Sequence, residues 1–196
     1  MRIENLEALT RGIRSLNSLR DGGEKIIGRA ISTLKRRLPA QAKRDIAKQY
    51  ALASREIGSR LLCKGDRRSV TLTGLGRAQT LIKFKARQTR SGVTVQIQKG
   101  SPVSIPHAFI HVPARAPGAG PQVMIRADAF RTVPGSVRDI ATVGRNRHGY
   151  PIVLLGGPTV ADMLRDPGRE DRLSELARAT FSKEVDRLQE VARNGR

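Results

Sequence analysis

The spacing of apolar residues changes twice along this chain, and that change limits its architecture more than any other feature. The period is helical up to about residue 62, alternating in segments between about 69 and 126, without a clear pattern from about 128 until a short apolar run at 150–155, and helical again from about 160. Ile3, Leu6, Leu9 (or Thr10), Ile13, Leu16 and Leu19 trace a first stripe, predicting a helix over 3–19 that Asp21-Gly22-Gly23 ends. A second helix carries Ile26, Ile27, Ala30, Ile31, Leu34 and Leu38 on one face. Pro39 is expected to end it and open a third, since Pro has no N–H to give and suits a first helical turn. The third helix, over 40–62, places Ile46, Tyr50, Ala53, Ile57 and Leu61 on its apolar face, opposite Lys43, Arg44, Lys48, Arg55 and Arg60.

Alternation then predicts strands over 69–73, 80–87 and 93–99. In 80–87, Leu81, Lys83 and Lys85 share one face and Ile82, Phe84 and Ala86 the other. Val93, Val95 and Ile97 oppose Thr94, Gln96 and Gln98, with Arg90-Ser91-Gly92 as the hairpin end between the two strands. Further strands are expected over 106–112, 122–126 and 150–155, the last ended by Gly156-Gly157-Pro158. Residues 113–121, PARAPGAGP, are expected as a mobile loop because Gly and Pro disfavour regular structure there.

A helical turn over 160–164 precedes a long closing helix over 169–193, whose stripe runs Leu173, Leu176, Ala177, Thr180, Phe181, Val185, Leu188 and Val191, with Glu184 at its margin. Acidic Asp166, Glu170 and Asp171 near its start and basic Arg187 and Arg193 near its end suit the helix dipole. Helices and strands are segregated, so the fold class is α+β: N-terminal helices and a long C-terminal helix packed on a mainly antiparallel sheet. The expected organisation is one domain over 1–196, with a basic helical part at 1–64, a sheet part at 65–160 and the closing helix at 161–196.

Charge narrows the function classes. The chain has 196 residues and a net charge of +20, with 38% hydrophobic residues, 3% aromatic residues and no Trp. Residues 1–100 hold 23 basic and 7 acidic residues, net +16, whereas 101–196 hold 14 and 10, net +4. Such a field favours a polyanion nearby, nucleic acid above all, although solvated faces that keep a protein in solution give the same composition. No apolar run spans a bilayer, and the N-terminus lacks the apolar stretch of a secretory signal, so no membrane association is expected. A single cysteine, Cys63, excludes an internal disulfide framework and fits a reducing cytoplasm.

A search for chemistry returns nothing. His107 and His111 lie in an alternating segment, where four strand residues separate them by about 13 Å, too far to chelate one ion. Cys63 stands beside Lys64 but follows Leu61-Leu62, the setting of a packed cysteine. Gly74-Leu75-Gly76 and Gly156-Gly157-Pro158 lack the pattern of a phosphate loop. Neither an aromatic RNA-binding signature nor paired Cys/His fingers occur, and so few aromatics make base stacking a poor account of the charge. The expectation is a protein that is not an enzyme and uses no metal or cofactor.

The stretch Ile105-Pro106-His107-Ala108-Phe109-Ile110 resembles a recurring segment of the phage minor tail protein Z family, the lambda-type tail completion proteins. Arg147-His148-Gly149-Tyr150-Pro151-Ile152-Val153, with Pro158 following, resembles a later one. Length, basic excess, helical N-terminal third and closing helix also match, so the likeness spans the chain in order. His107 stands where the family usually has Gly, and PARAPGAGP departs from its pattern.

The resemblance implies a structural virion protein at the head-proximal end, or neck, of a phage tail, which completes the tail and enables head–tail joining. It implies a homo-oligomeric ring, expected as a hexamer, beside the tail terminator, tail tube and head-completion proteins. Assembly would take place in the bacterial host cytoplasm. Such a ring surrounds the DNA channel, where non-specific contact with phage DNA suits passage better than base readout. The expected DNA-facing residues are Lys43, Arg44 and Lys48 of the third helix and Lys83, Lys85, Arg87 and Arg90 of the hairpin. For each, an ordinary exposed cation or an intersubunit ion pair is the alternative. Ile105, Pro106, Phe109, Tyr150, Pro151 and Ile152 are expected in the core or an interface. The competing class is a host-type, non-specific nucleic-acid-binding basic protein.

Overall fold

A computed structural model describes residues 2–3, 22–66, 69–112, 120–145 and 148–194. The fold is α+β with antiparallel sheets. The elements are β1 (Arg2–Ile3), α1 (Gly22–Gln49), α2 (Ser54–Gly58), β2 (Leu61–Gly65), β3 (Val70–Gly74), β4 (Gln79–Thr80), β5 (Arg87–Gln88), β6 (Gly92–Gln98) and β7 (Ser101–Pro106). There follow β8 (Phe109–His111), β9 (Gln122–Arg126), β10 (Arg138–Arg145), β11 (Pro151–Gly157), α3 (Val160–Leu164) and α4 (Pro167–Asn194). These form two compact units: Met1–Asp45, Gly58–Leu75 and Leu164–Arg196 in one, Ile46–Ile57 and Gly76–Met163 in the other.

In the first unit a three-stranded sheet, ordered β1-β3-β2, is built on the β2–β3 hairpin, with Cys63 opposite Leu72 and Gly65 opposite Val70. Its turn is closed by Asp66, whose Oδ1 accepts the Ser69 N–H at 2.8 Å. A Cβ at Gly65 would stand 3.3 Å from side-chain carbons of Ile31 and Lys35, so the hairpin lies close against α1. Buried Leu173, Ala177, Phe181, Val185 and Leu188 of α4 bear out the closing stripe as far as Leu188, whereas Leu176 is half-buried and Val191 is 56% exposed.

The second unit holds a sheet ordered β10-β11-β9-β8, with β4 pairing the end of β11, and a separate sheet ordered β5-β6-β7. Its core includes Leu81, Phe84, Val93, Val95, Ile105, Val123, Ile125 and Leu155, all with no exposed surface.

Several expectations are corrected. Ile3 pairs with Val70 as a strand residue, and the remainder of the expected first helix lies outside the described residues. Pro39 does not end a helix; α1 runs through it for 28 residues. Ile26, Ala30, Leu34, Leu38, Ala42 and Ile46 recur every four positions and are all at most 6% exposed. That continuous burial outweighs the one backbone bond Pro39 removes. The third helix stops at Gln49 rather than 62. Tyr50 bridges to Gln98, α2 is a single turn, and Leu61, Leu62 and Cys63 form a strand because β3 offers them a ladder.

The strand expected over 80–87 is instead a 3-10 turn, Leu81–Phe84. Leu81 and Phe84, three apart, are both fully buried, as one face of a three-residue turn requires. Lys85 follows in the left-handed region at φ 53°. The strand expected over 106–112 breaks at His107, whose φ is +61°, so β7 and β8 join different sheets. Strand β10 carries no alternating pattern because all of it but Ile140 is exposed, so no buried face imposes a two-residue repeat, and register shifts fall between Asp139 and Ala141 and between Thr142 and Gly144. Of the loop 113–121, residues 113–119 lie outside the described residues.

Candidate nucleic-acid interface

The cations expected at a nucleic-acid surface separate into distinct environments. Lys83, on the 3-10 turn, is ion-paired with Glu56 of α2, each side chain about one-third exposed. That pairing removes it from the set of cations open to a polyanion. Lys85, Arg87 and Arg90 are exposed and form no ion pair with any described residue. Of the α1 residues, Arg44 and Lys48 are exposed, whereas Lys43 is half-buried, its Cδ 3.3 Å from where a Cβ at Gly58 would lie. Lys43 and Arg44 belong to the first unit and the hairpin cations to the second.

The scaffold under Arg87 and Arg90 is firm for a surface hairpin. Strand β5 pairs with β6 at Arg87–Thr94 and Gln88–Val93. At the turn the Gly92 carbonyl accepts the Thr89 N–H at 2.8 Å, the Thr89 hydroxyl at 2.9 Å and the Gln88 Nε2 at 2.9 Å. Gln88 Oε1 in turn accepts the Ile110 N–H at 2.7 Å, so one side-chain amide links β5 to β8 where no ladder exists. Gly92 is obligatory: a Cβ there would stand 2.1 Å from the Ile105 carbonyl oxygen. The Arg90-Ser91-Gly92 turn was legible in the sequence. The Gln88 link was not, because a lone exposed Gln carries no signal.

Charge follows the units rather than the linear halves. The first unit's segments contain 23 basic and 13 acidic residues and the second unit's 14 and 4, so each carries +10. Only in the second unit do cations outnumber carboxylates more than threefold. Two of its four carboxylates are engaged in ion pairs, Glu56 with Lys83 and Asp162 with Arg138.

The six residues expected in a core or interface divide as well. Ile105 is fully buried, and Phe109, Pro151 and Ile152 are half-buried. Pro106 is exposed and Tyr150 is 51% exposed, so neither is a core residue. Burial pushes the Cys63 thiol up, with Lys35 offsetting this only partly, which is the opposite of an activated thiolate. Among the described residues no group of three or more His, Cys, Asp or Glu is placed to hold a metal ion. No described helix is long and apolar enough to cross a membrane. Comparison with protein-family models, with curated proteins and with solved structures finds no match to this chain.

Proposed function

We propose that this chain is a non-enzymatic structural component of the phage neck, completing the tail and joining it to the head as a ring around the DNA channel. The observation that carries the reading is the trio Lys85, Arg87 and Arg90. They are exposed, without a carboxylate partner among the described residues, and lie on or beside a hairpin fixed by Gln88 and Gly92. Cations on a held hairpin attract phosphate without reading bases, as a conduit for DNA requires. The resemblance of Ile105–Ile110 and Arg147–Val153 to tail completion proteins supplies the location. The tail terminator, tail tube and head-completion proteins would be its neighbours.

The test is cryo-electron microscopy of purified particles, with the protein located by mass spectrometry and density. A ring at the neck with Arg87 and Arg90 toward the lumen is the expected result. Absence from every particle, with salt-sensitive co-purification on cellular nucleic acid, would overturn it in favour of a host-type basic protein.

A further inference from the structure

A cleft of about 290 Å³ opens in the second unit where the end of α1, the β6–β7 hairpin and the turn before β10 meet. Ile97, Val103, Pro158 and the Tyr50 ring give it an apolar lining; Ile97 is buried and the other three are half-buried. Ser136 and Arg138, both exposed, supply polar groups at its margin. Apolar walls with a few convergent polar groups are the usual make-up of a small recognition site.

Arg138 gives the cleft its chemistry. Its Nη2 lies 3.2 Å from Asp162 Oδ2, and its side chain is 53% exposed. No other bond from this guanidinium to a described residue is made, so most of its fork of donors is open to a second carboxylate. Asp162 does not depend on Arg138. The same Oδ2 accepts the Thr159 N–H at 3.0 Å and the Thr159 hydroxyl at 2.7 Å, while the Asp162 N–H donates to Thr159 Oγ1. Arg138 can therefore turn to a ligand and leave Asp162 with its helix-capping bonds intact.

The occupant follows from charge and from the neighbouring edge strand. With 14 basic residues against 4 acidic in this unit, an acidic partner is favoured. Strand β7 pairs only with β6 among the described residues, and Pro102 and Pro106 have no N–H to offer an added strand. Recognition must rest on side chains. One guanidinium beside an aliphatic wall suits a carboxylate next to an apolar side chain, whereas a nucleic-acid strand needs a row of cations or stacking rings.

We propose that this cleft binds an acidic segment of a partner protein, an apolar side chain lying on Val103 and Pro158 and an adjacent carboxylate taking Arg138. The inference stands on the second unit alone and is independent of the neck assignment.

The test is titration of the ¹⁵N-labelled full chain with acetyl-Leu-Glu-Leu-amide, acetyl-Leu-Gln-Leu-amide and a thymidine hexanucleotide. The readout is the amide shifts of Gln98, Ser101, Ser136 and Arg138. The Glu peptide is expected to move these amides with about tenfold higher affinity than the Gln peptide, a distinction of one charge-assisted pair. Arg138→Gln should abolish the distinction, and Ser136→Trp, a surface change that fills the cleft, should block both peptides. Equal responses to the two peptides, no response to the Glu peptide at about 5 mM, roughly five times a 1 mM dissociation constant, or tighter occupancy of the same amides by the oligonucleotide would each overturn the proposal.

Discussion

Glu184 shows how one side chain changes meaning once its surroundings are known. In the helical stripe of α4 it is an interruption, yet its carboxylate accepts Arg187 Nη2 at 2.9 Å, Arg187 Nε at 3.1 Å and the Thr33 hydroxyl of α1 at 3.2 Å. The Arg187 hydrogen bond chiefly holds its carboxyl below the usual carboxylate range. A depressed folded-state pKa adds stability above the ordinary Glu value of about 4.3 that is lost as pH falls through the lower folded value. Glu184→Gln should therefore flatten the acid limb of a Tm-against-pH curve below about pH 4.5. An unchanged limb would show that the pair is not linked to folding. Gln79 is the opposite case. It is fully buried, and neither Nε2 nor Oε1 has a hydrogen-bond partner among the described residues. Gln79→Met, similar in volume, should raise stability by about 1–3 kcal/mol in urea denaturation by removing a desolvated amide. A loss would instead reveal an ordered water that satisfies it.

The long helix and the 3-10 turn carry the element-scale consequences. In α1 the interior Pro39 has no N–H to complete the helical ladder, yet buried Leu38 and Ala42 keep the helix continuous around it. Pro39→Ala should restore that bond and stabilise the protein by about 1–3 kcal/mol, read as a higher urea midpoint at constant m. A lower midpoint would mean that the half-buried ring contributes more by packing than its backbone costs. The 3-10 turn removes Lys83 from the face it would share with Lys85 on a strand and brings it to Glu56. Polyanion binding should therefore be indifferent to Lys83→Met. Arg87→Glu with Arg90→Glu should weaken it and lower the slope of log K against log salt by about 2, one for each lost phosphate contact. Equal loss in both variants would place the binding surface elsewhere.

Across the whole molecule, net charge governs more than any single contact. With +20 and neither an aromatic binding signature nor paired Cys/His fingers in the sequence, binding to duplex DNA should be indifferent to base sequence. If Lys85, Arg87 and Arg90 each touch one phosphate, affinity should fall about 40-fold between about 50 and 200 mM salt. Fluorescence anisotropy with two unrelated duplexes checks both statements. A strong preference for one duplex, or a flat salt response, would count against a conduit surface.

Local periodicity determined the α+β class, β3, β6 and the closing helix, because in each the buried face follows the chain's own repeat; β9 and β11 were legible instead as short apolar runs, and both bury consecutive residues. It also marked the Arg90-Ser91-Gly92 turn and α3, where Thr159 and Asp162 cap one another. Elsewhere distant partners decided. Strand β2 exists because β3 pairs with it, α1 continues past Pro39 because its apolar face is buried on both sides of the ring, and β10 bends through two register shifts. The site was legible as residue types but not as an arrangement. Lys83 looks like Lys85 in the sequence, and only folding shows one neutralised by Glu56 and the other exposed. The linear charge asymmetry likewise becomes +10 in each unit once the closing helix joins the first. Sequence fixes which groups a chain carries and their local period. Which charges meet, and which remain for a partner, depends on contacts between residues far apart along it.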